Sequence, residues 1–247
     1  MLSGFVSRKV ARLGDILACD KDADKLKKLK VKSADAKTVV SKSDIIFLCV
    51  KPQNMKEVLD EIMDVAGKKL FVSVAAGVST KFIESTLTDA RVVRVMPNTP
   101  ALVSEMAAGY ALGSKATIKD AKDVEKLLSS VGIAVRLDEK DLDAVTGLSG
   151  SGPAYVYLFI SALKDAGVEE GLSEDEALKL AAQTVKGAAE MILSGMGRPD
   201  ELIENVKSPG GTTIEGLKAL EARGFYETVK EAVRKAAGRS RELGREN

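Results

Sequence analysis

Along residues 1–138 two kinds of apolar pattern alternate. Short, nearly continuous apolar runs occur at Asp15-Ile16-Leu17-Ala18-Cys19, Ile45-Ile46-Phe47-Leu48-Cys49-Val50, Leu70-Phe71-Val72-Ser73-Val74 and Val92-Val93-Arg94-Val95-Met96, and stretches with helical spacing separate them. Such runs suit the strands of a parallel sheet covered on both faces, where neither set of alternating side chains meets water. Two further short strands are predicted at residues 109–112 and 133–137, with a helix over residues 119–130 between them. From residue 142 onward the strand signal stops. Val156, Phe159, Ile160 and Leu163, then Leu178, Ala181, Ala182, Val185, Ala189 and Ile192, recur at spacings of three and four, which is one face of a helix. Pro153 can open the first of these helices, because its missing N–H has no helical partner at that position anyway. The pattern predicts an α/β domain over residues 1–138 and an all-helical domain over residues 139–247. About 100 residues of helix offer little core of their own, so these helices are expected to bury a face against another subunit.

The segment Lys207-Ser208-Pro209-Gly210-Gly211-Thr212-Thr213-Ile214-Glu215-Gly216-Leu217 joins a glycine turn to an amphipathic helix whose stripe is Ile214, Leu217 and Leu220. That stripe places Gly210 to Thr213 at the helix N-terminus. The first N–H groups of a helix lack helical partners and sit at the positive end of its dipole, and glycines let a ligand approach them closely. Ser208, Thr212 and Thr213 add hydroxyls. Two readings stay open on local chemistry: a site for a small carboxylate, or an ordinary capped helix start.

Composition narrows the chemistry. The 247 residues are 45% hydrophobic and 30% charged, with 37 basic against 36 acidic side chains, so no global field draws the chain to nucleic acid or to a membrane. A small-molecule partner is expected. No apolar run reaches the length of a membrane span, and Met1-Leu2-Ser3-Gly4-Phe5 lacks the regions of a signal peptide, which predicts a cytoplasmic protein. Histidine is absent, which excludes Ser-His-Asp triads, Cys-His pairs and histidine metal sites. Cys19 and Cys49 each end an apolar run and are expected to be buried structural thiols. The sequence Gly147-Leu148-Ser149-Gly150-Ser151-Gly152 superficially has the spacing of a dinucleotide loop, but it follows no convincing strand and runs into Pro153, so it is not expected to hold phosphate.

The Pro199 to Glu221 region, with Ser208-Pro209-Gly210-Gly211-Thr212-Thr213, resembles the signature segment of pyrroline-5-carboxylate reductases. Further similarity follows in that family's order: Val50-Lys51-Pro52-Gln53, Val74-Ala75-Ala76-Gly77, Arg94-Val95-Met96-Pro97-Asn98-Thr99-Pro100 and Thr146-Gly147-Leu148-Ser149-Gly150-Ser151-Gly152-Pro153-Ala154-Tyr155. The resemblance implies an N-terminal Rossmann-like doubly wound domain followed by an all-α substrate and dimerisation domain. It implies reduction of the cyclic imine pyrroline-5-carboxylate to proline with NADPH or NADH, in a homodimer or higher homo-oligomer.

By resemblance, Ser208 and the backbone of Gly211, Thr212 and Thr213 hold the substrate carboxylate, and the Thr213 hydroxyl lies near the ring nitrogen. Val50, Lys51, Pro52, Ala75, Gly77, Met96, Pro97 and Asn98 border the cofactor at the carboxyl ends of strands, where open α/β sheets bind ligands. Asp20 could accept from a ribose 2′-hydroxyl, whereas Lys21 and Lys25 could accommodate a 2′-phosphate, so the choice between NAD and NADP stays open. The family's opening strand and G-x-G-x-x-G turn have no counterpart before Leu2. A misplaced start codon or a gene fragment is favoured over redesign, and weak NAD(P)H binding by this chain is the expectation. Two alternatives stand beside the reductase: an enzyme for another imine or small acid, and a non-catalytic oligomerising or carboxylate-sensing protein.

Overall fold

A computed structural model describes residues 1–246. In chain order its elements are α1 (Leu2–Ser7), β1 (Leu17–Ala18), α2 (Ala23–Leu29), β2 (Lys32–Ser33), α3 (Ala36–Lys42), β3 (Ile45–Leu48), α4 (Met55–Ala66), β4 (Leu70–Ser73), α5 (Thr80–Thr86), β5 (Arg91–Met96), β6 (Met106–Leu112), α6 (Ile118–Ser129) and β7 (Gly132–Arg136). There follow α7 (Leu142–Val145), a π-helical turn (Thr146–Gly150), α8 (Gly152–Glu169), α9 (Glu174–Leu193), α10 (Pro199–Val206), α11 (Thr212–Ala222) and α12 (Phe225–Glu246). Each long apolar run of the first half becomes a strand, and after β7 the described residues form helices and turns. Pro153 lies in the first turn of α8, as its chemistry predicts.

The strands β3 to β7 form one sheet in sequence order. β3, β4 and β5 are parallel, and so are β6 and β7, but β6 runs antiparallel to β5, a turn of direction the apolar pattern does not signal. β1 and β2 pair with each other in a separate two-stranded parallel sheet. The run ending at Cys19 is thus only two residues of strand, and Lys32–Ser33 is too short and polar to read as strand from its sequence. Both cysteines correct the expectation made for them. They follow the ends of β1 and β3, past the paired residues, and both are free and exposed as residues, although burial pushes the Cys49 thiol's pKa up.

Alternation along the strands builds two cores, one on each face of the five-stranded sheet. Ile46, Leu48, Phe71 and Val92 pack with Met55, Leu59 and Ile62 of α4 and Ile83 of α5. Leu70, Val72, Val93 and Val95 turn to the opposite face, with Phe5 of α1, Tyr110 of β6 and Val124 and Leu128 of α6. β4 is buried along its whole length, which is why its run is continuously apolar.

Helix starts are set by local side chains. Asp22, Asp35 and Ser79 cap α2, α3 and α5 by accepting from first-turn N–H groups. α9 begins with a reciprocal box of Ser173 and Glu176.

The chain divides into two compact units, Met1–Ser151 with Val233–Asn247, and Gly152–Ala232. In the first, the carboxyl-terminal part of α12 packs on the π-helical turn. In the second, α8 and α9 lie along one another, and a Cβ added at Gly167 would sit 3.2 Å from the Ala177 Cβ. Among the described residues of this helical unit only Ala177 and Ala181 are buried hydrophobics, while Leu158, Leu193, Val206 and Tyr226 are 73, 70, 66 and 74% exposed. No helix among the described residues is long and apolar enough to cross a membrane.

Asp120 joins the sheet to α6. Its carboxylate forms a capping box with Thr117, accepting from the Thr117 hydroxyl at 2.7 Å and N–H at 2.8 Å, and it is ion-paired to Arg91 of β5, while its side chain is only 2% exposed. Burial alone would raise this carboxyl's pKa, but the Thr117 and Arg91 contacts outweigh it and hold the carboxyl below its ordinary value. Its contribution is therefore complete above the unfolded carboxylate value of about 3.9 and is lost as pH falls through the lower folded value. Asp120→Asn is expected to cost about 2 kcal/mol at pH 7 and less at pH 3. Urea unfolding of both proteins at the two pH values checks this, and an unchanged gap between them would refute it.

Candidate active site

β3 and β4 end level, where Leu48 pairs with Ser73 and Ser73 with Arg94, and β5 continues in the same direction to Met96. Val50-Lys51-Pro52, Ala75 to Gly77 and Met96-Pro97-Asn98 consequently emerge at one edge of the sheet, the edge at which parallel sheets bind ligands. Pro52 opens a short 3-10 turn in which the Lys51 carbonyl accepts from the Asn54 N–H at 2.9 Å, leaving the Lys51 side chain exposed. Ala75 and Gly77 are buried, and the Ala75 N–H donates to the buried Ser73 hydroxyl at 3.4 Å. Gly77 has φ of 73°, a conformation that favours glycine. A Cβ there would lie 3.2 Å from the backbone N of Gly244 in α12.

The Asn98 amide is held at both its oxygen and its nitrogen. Oδ1 accepts from the Ala107 N–H at 3.0 Å and Nδ2 donates to the Ser149 carbonyl at 3.0 Å, tying the end of β5 to β6 and to the π-helical turn. Beside it, a Cβ at Gly150 would fall 2.6 Å from the Met96 Cε. The run from Gly147 to Gly152 is thus a helical packing element, which agrees with its exclusion as a phosphate loop.

Asp20 stands apart from this row, exposed after β1 in the smaller sheet. Its Oδ1 accepts from the Asp22 N–H at 2.8 Å. Lys21 pairs with Glu57 of α4 at 2.9 Å, and Lys25 lies 3.7 Å from Asp22, so both lysines offered for a 2′-phosphate already have carboxylate neighbours. The donor set suits a dinucleotide: a carboxylate for hydroxyls at Asp20, apolar walls at Val50, Ala75 and Met96, and an amide at Asn98. A groove of about 280 Å³ lined by Gly77, Ser79, Lys81, Phe82 and Ser85 runs beside the β4 loop.

In the helical unit, Gly211 is the N-cap of α11 and no side chain caps that helix. Gly210 takes the left-handed turn with φ of 68°. A Cβ at Gly211 would lie 2.1 Å from the Ser208 Oγ, so glycine is what lets the Ser208 hydroxyl fold over the helix start. Ser208, Gly211, Thr212 and Thr213 are thereby gathered within one turn. The Gly211 N–H, however, donates to the Ser208 carbonyl at 2.8 Å, which leaves the Thr212 and Thr213 amides as the uncapped donors. Thr212 is exposed and Thr213 half-buried, and Lys207 nearby is paired with Glu204 at 2.6 Å.

One cluster escapes the sequence reading. Glu139 accepts from the Thr80 N–H at 2.7 Å, the Thr80 hydroxyl at 2.6 Å and the Arg94 guanidinium at 3.3 Å. Arg94 inside an otherwise apolar, buried strand is the signal that could have found it, since a buried charge demands a partner. Nothing local marks Glu139 as that partner. The clamp fixes the start of α5, three residues beyond Gly77.

Residues 139–243 match the family model described as pyrroline-5-carboxylate reductase dimerisation, and residues 1–77 match that of NADP oxidoreductase, coenzyme F420-dependent. The pyrroline-5-carboxylate reductase of Methanosarcina acetivorans is 43% identical, over 99% of this chain and 93% of its own length. That of Glycine max is 49% identical over 83% of this chain and 75% of its own length. Among solved structures, the Coxiella burnetii pyrroline-5-carboxylate reductase superposes with a TM-score of 0.91 at 33% identity, covering 98% of this chain and 93% of that one. The Plasmodium falciparum pyrroline carboxylate reductase with NADP bound gives 0.86 at 33% identity, covering 98% and 92%. With 43% identity held over nearly all of both chains and the same fold from α1 to α12, this protein belongs to the pyrroline-5-carboxylate reductase family.

Proposed function

We propose that this chain reduces pyrroline-5-carboxylate to proline with NADPH or NADH, as a homodimer or higher homo-oligomer in the cytoplasm. The observation that carries the proposal is the uncapped start of α11 with the Ser208 hydroxyl folded over it, inside a chain that belongs to this reductase family. Association is supported by the match of residues 139–243 to the dimerisation model and by the exposed apolar surface of the helical unit.

Reducing a cyclic imine puts hydride on carbon and leaves a proton on nitrogen. A nicotinamide bound along the sheet edge would supply the hydride. The chain's part is to bind and orient, which can supply much of the rate gain. The substrate carboxylate sits at the positive end of α11, accepting from the Thr212 and Thr213 N–H groups and the Ser208 hydroxyl. Gly211 contributes the space its missing Cβ leaves. Thr213 is the catalytic residue, its hydroxyl donating to the nitrogen lone pair of the neutral imine or accepting from the N–H of the iminium, and so fixing which carbon face is presented. A neutral alcohol is too weak an acid to be the proton source, so the proton comes from solvent or arrives on the substrate as iminium. Val50, Lys51, Pro52, Ala75, Gly77, Met96, Pro97 and Asn98 border the dinucleotide along the sheet edge, and Asp20 meets the adenosine ribose.

Pyrroline-5-carboxylate-dependent oxidation of NADPH or NADH by the purified protein is the direct test. Absence of turnover by folded oligomer would leave another substrate or a non-catalytic role. Thr213→Ala is expected to lower kcat at least about tenfold, whereas Ser208→Ala raises KM for the imine about fivefold with kcat held. Gly211→Ala should reproduce the Ser208→Ala phenotype, because its methyl group drives the hydroxyl away. Wild-type kinetics in both the Thr213 and Ser208 variants would remove the carboxylate cradle from α11.

A further inference from the structure

The β4 loop is shaped from behind by a distant part of the chain. The backbone of the last turn of α12 lies against Gly77: Gly244 N and Leu243 C would be 3.2 and 3.3 Å from a Cβ at position 77, and a Cβ at Gly244 would be 3.4 Å from the Gly77 carbonyl oxygen. Two backbones meet there with no side chain between them. Upstream on the same helix, the buried Ser240 donates to Asp143 of α7 at 2.6 Å. One helical turn before that, Ala237 is buried against Gly147, and a Cβ at Gly147 would fall 2.5 Å from the Val233 carbonyl oxygen and 2.9 Å from the Ala237 N. Gly147 belongs to the π-helical turn whose Ser149 carbonyl receives the Asn98 amide. The helix therefore backs two of the segments that emerge at the sheet edge, the loop of Gly77 directly and the end of β5 through the π turn.

We infer that the carboxyl-terminal half of α12 is a positioning element for the dinucleotide: Gly244 sets the Ala75 to Gly77 loop, Gly147 sets the Asn98 side chain, and Ser240 locks the helix against both. This rests on the function proposed above, in which those segments border the cofactor. Backbone contact makes the coupling stiff, because there are no rotamers between helix and loop to absorb a displacement. Glu139 pins the other end of the same loop at Thr80, so α12 is the wall whose movement the loop can follow.

Three variants of the full chain test this. Ser240→Ala loosens the helix without a clash, Gly244→Val presses a side chain onto Gly77, and Thr213→Ala serves as a control in the substrate site. Hydrogen exchange at residues 75–80 is expected to quicken about tenfold in the Ser240 and Gly244 variants and not in the control. Calorimetric Kd and KM for NADPH are expected to rise about fivefold in the same two, with KM for pyrroline-5-carboxylate unchanged. Unaltered exchange in both variants would overturn the strut itself. Faster exchange with unaltered NADPH affinity would overturn the proposal through its other premise, by removing the loop from the cofactor site. A uniform rise in both KM values with faster exchange throughout the chain would show general destabilisation and likewise overturn it.

Discussion

The in-register parallel pairing of β3, β4 and β5 is the constraint on which the proposed cofactor side depends. Strands that run the same way and pair in register point their carboxyl ends to the same side, so three loops widely separated in sequence leave the sheet at one edge. The pairing requires both faces to be covered, and the two cores meet that need with α4 and α5 on one side and α1 and α6 on the other. Nothing about Val50, Gly77 or Asn98 individually calls for their being neighbours. They are gathered by hydrogen bonds made between residues 45 and 96 that take no part in binding.

Absent side chains do comparable work at the points where backbone must approach backbone. Gly147 lets α12 settle on the π-helical turn, Gly77 lets the helix end reach the β4 loop, and Gly211 admits a hydroxyl over the start of α11. At Gly147 and Gly211 a single methyl group would occupy space now filled by a main-chain or hydroxyl atom, and at Gly77 it would press on the backbone of α12. The functional geometry is thus specified as much by where volume is withheld as by where polar groups are supplied.

The fold is legible in the sequence wherever burial is two-sided or one-sided over several residues. The runs from Ile45, Leu70 and Val92 announce β3, β4 and β5, and the three-and-four spacing after residue 142 announces the helices. The start of α11 is legible too, since Gly210, Gly211 and the threonines carry their own conformational signal. What escapes is set by contacts between remote residues. The reversed direction of β6 depends on how the turn after Asn98 packs, β1 and β2 are too short to show a period, and both cysteines prove exposed because the paired strand stops before them. The bond of Asn98 to Ser149 and the Arg94, Glu139 and Thr80 clamp are invisible for the same reason. Hydrogen bonds spanning tens of residues leave no local periodicity to read.

The helical unit has one further consequence. With only Ala177 and Ala181 as buried hydrophobics among its described residues, Gly152–Ala232 has little interior of its own. If it orders by docking on a second copy, its secondary structure and its assembly belong to a single equilibrium, and the midpoint of thermal unfolding climbs as protein is concentrated. Dilution would act on such a unit as a denaturant.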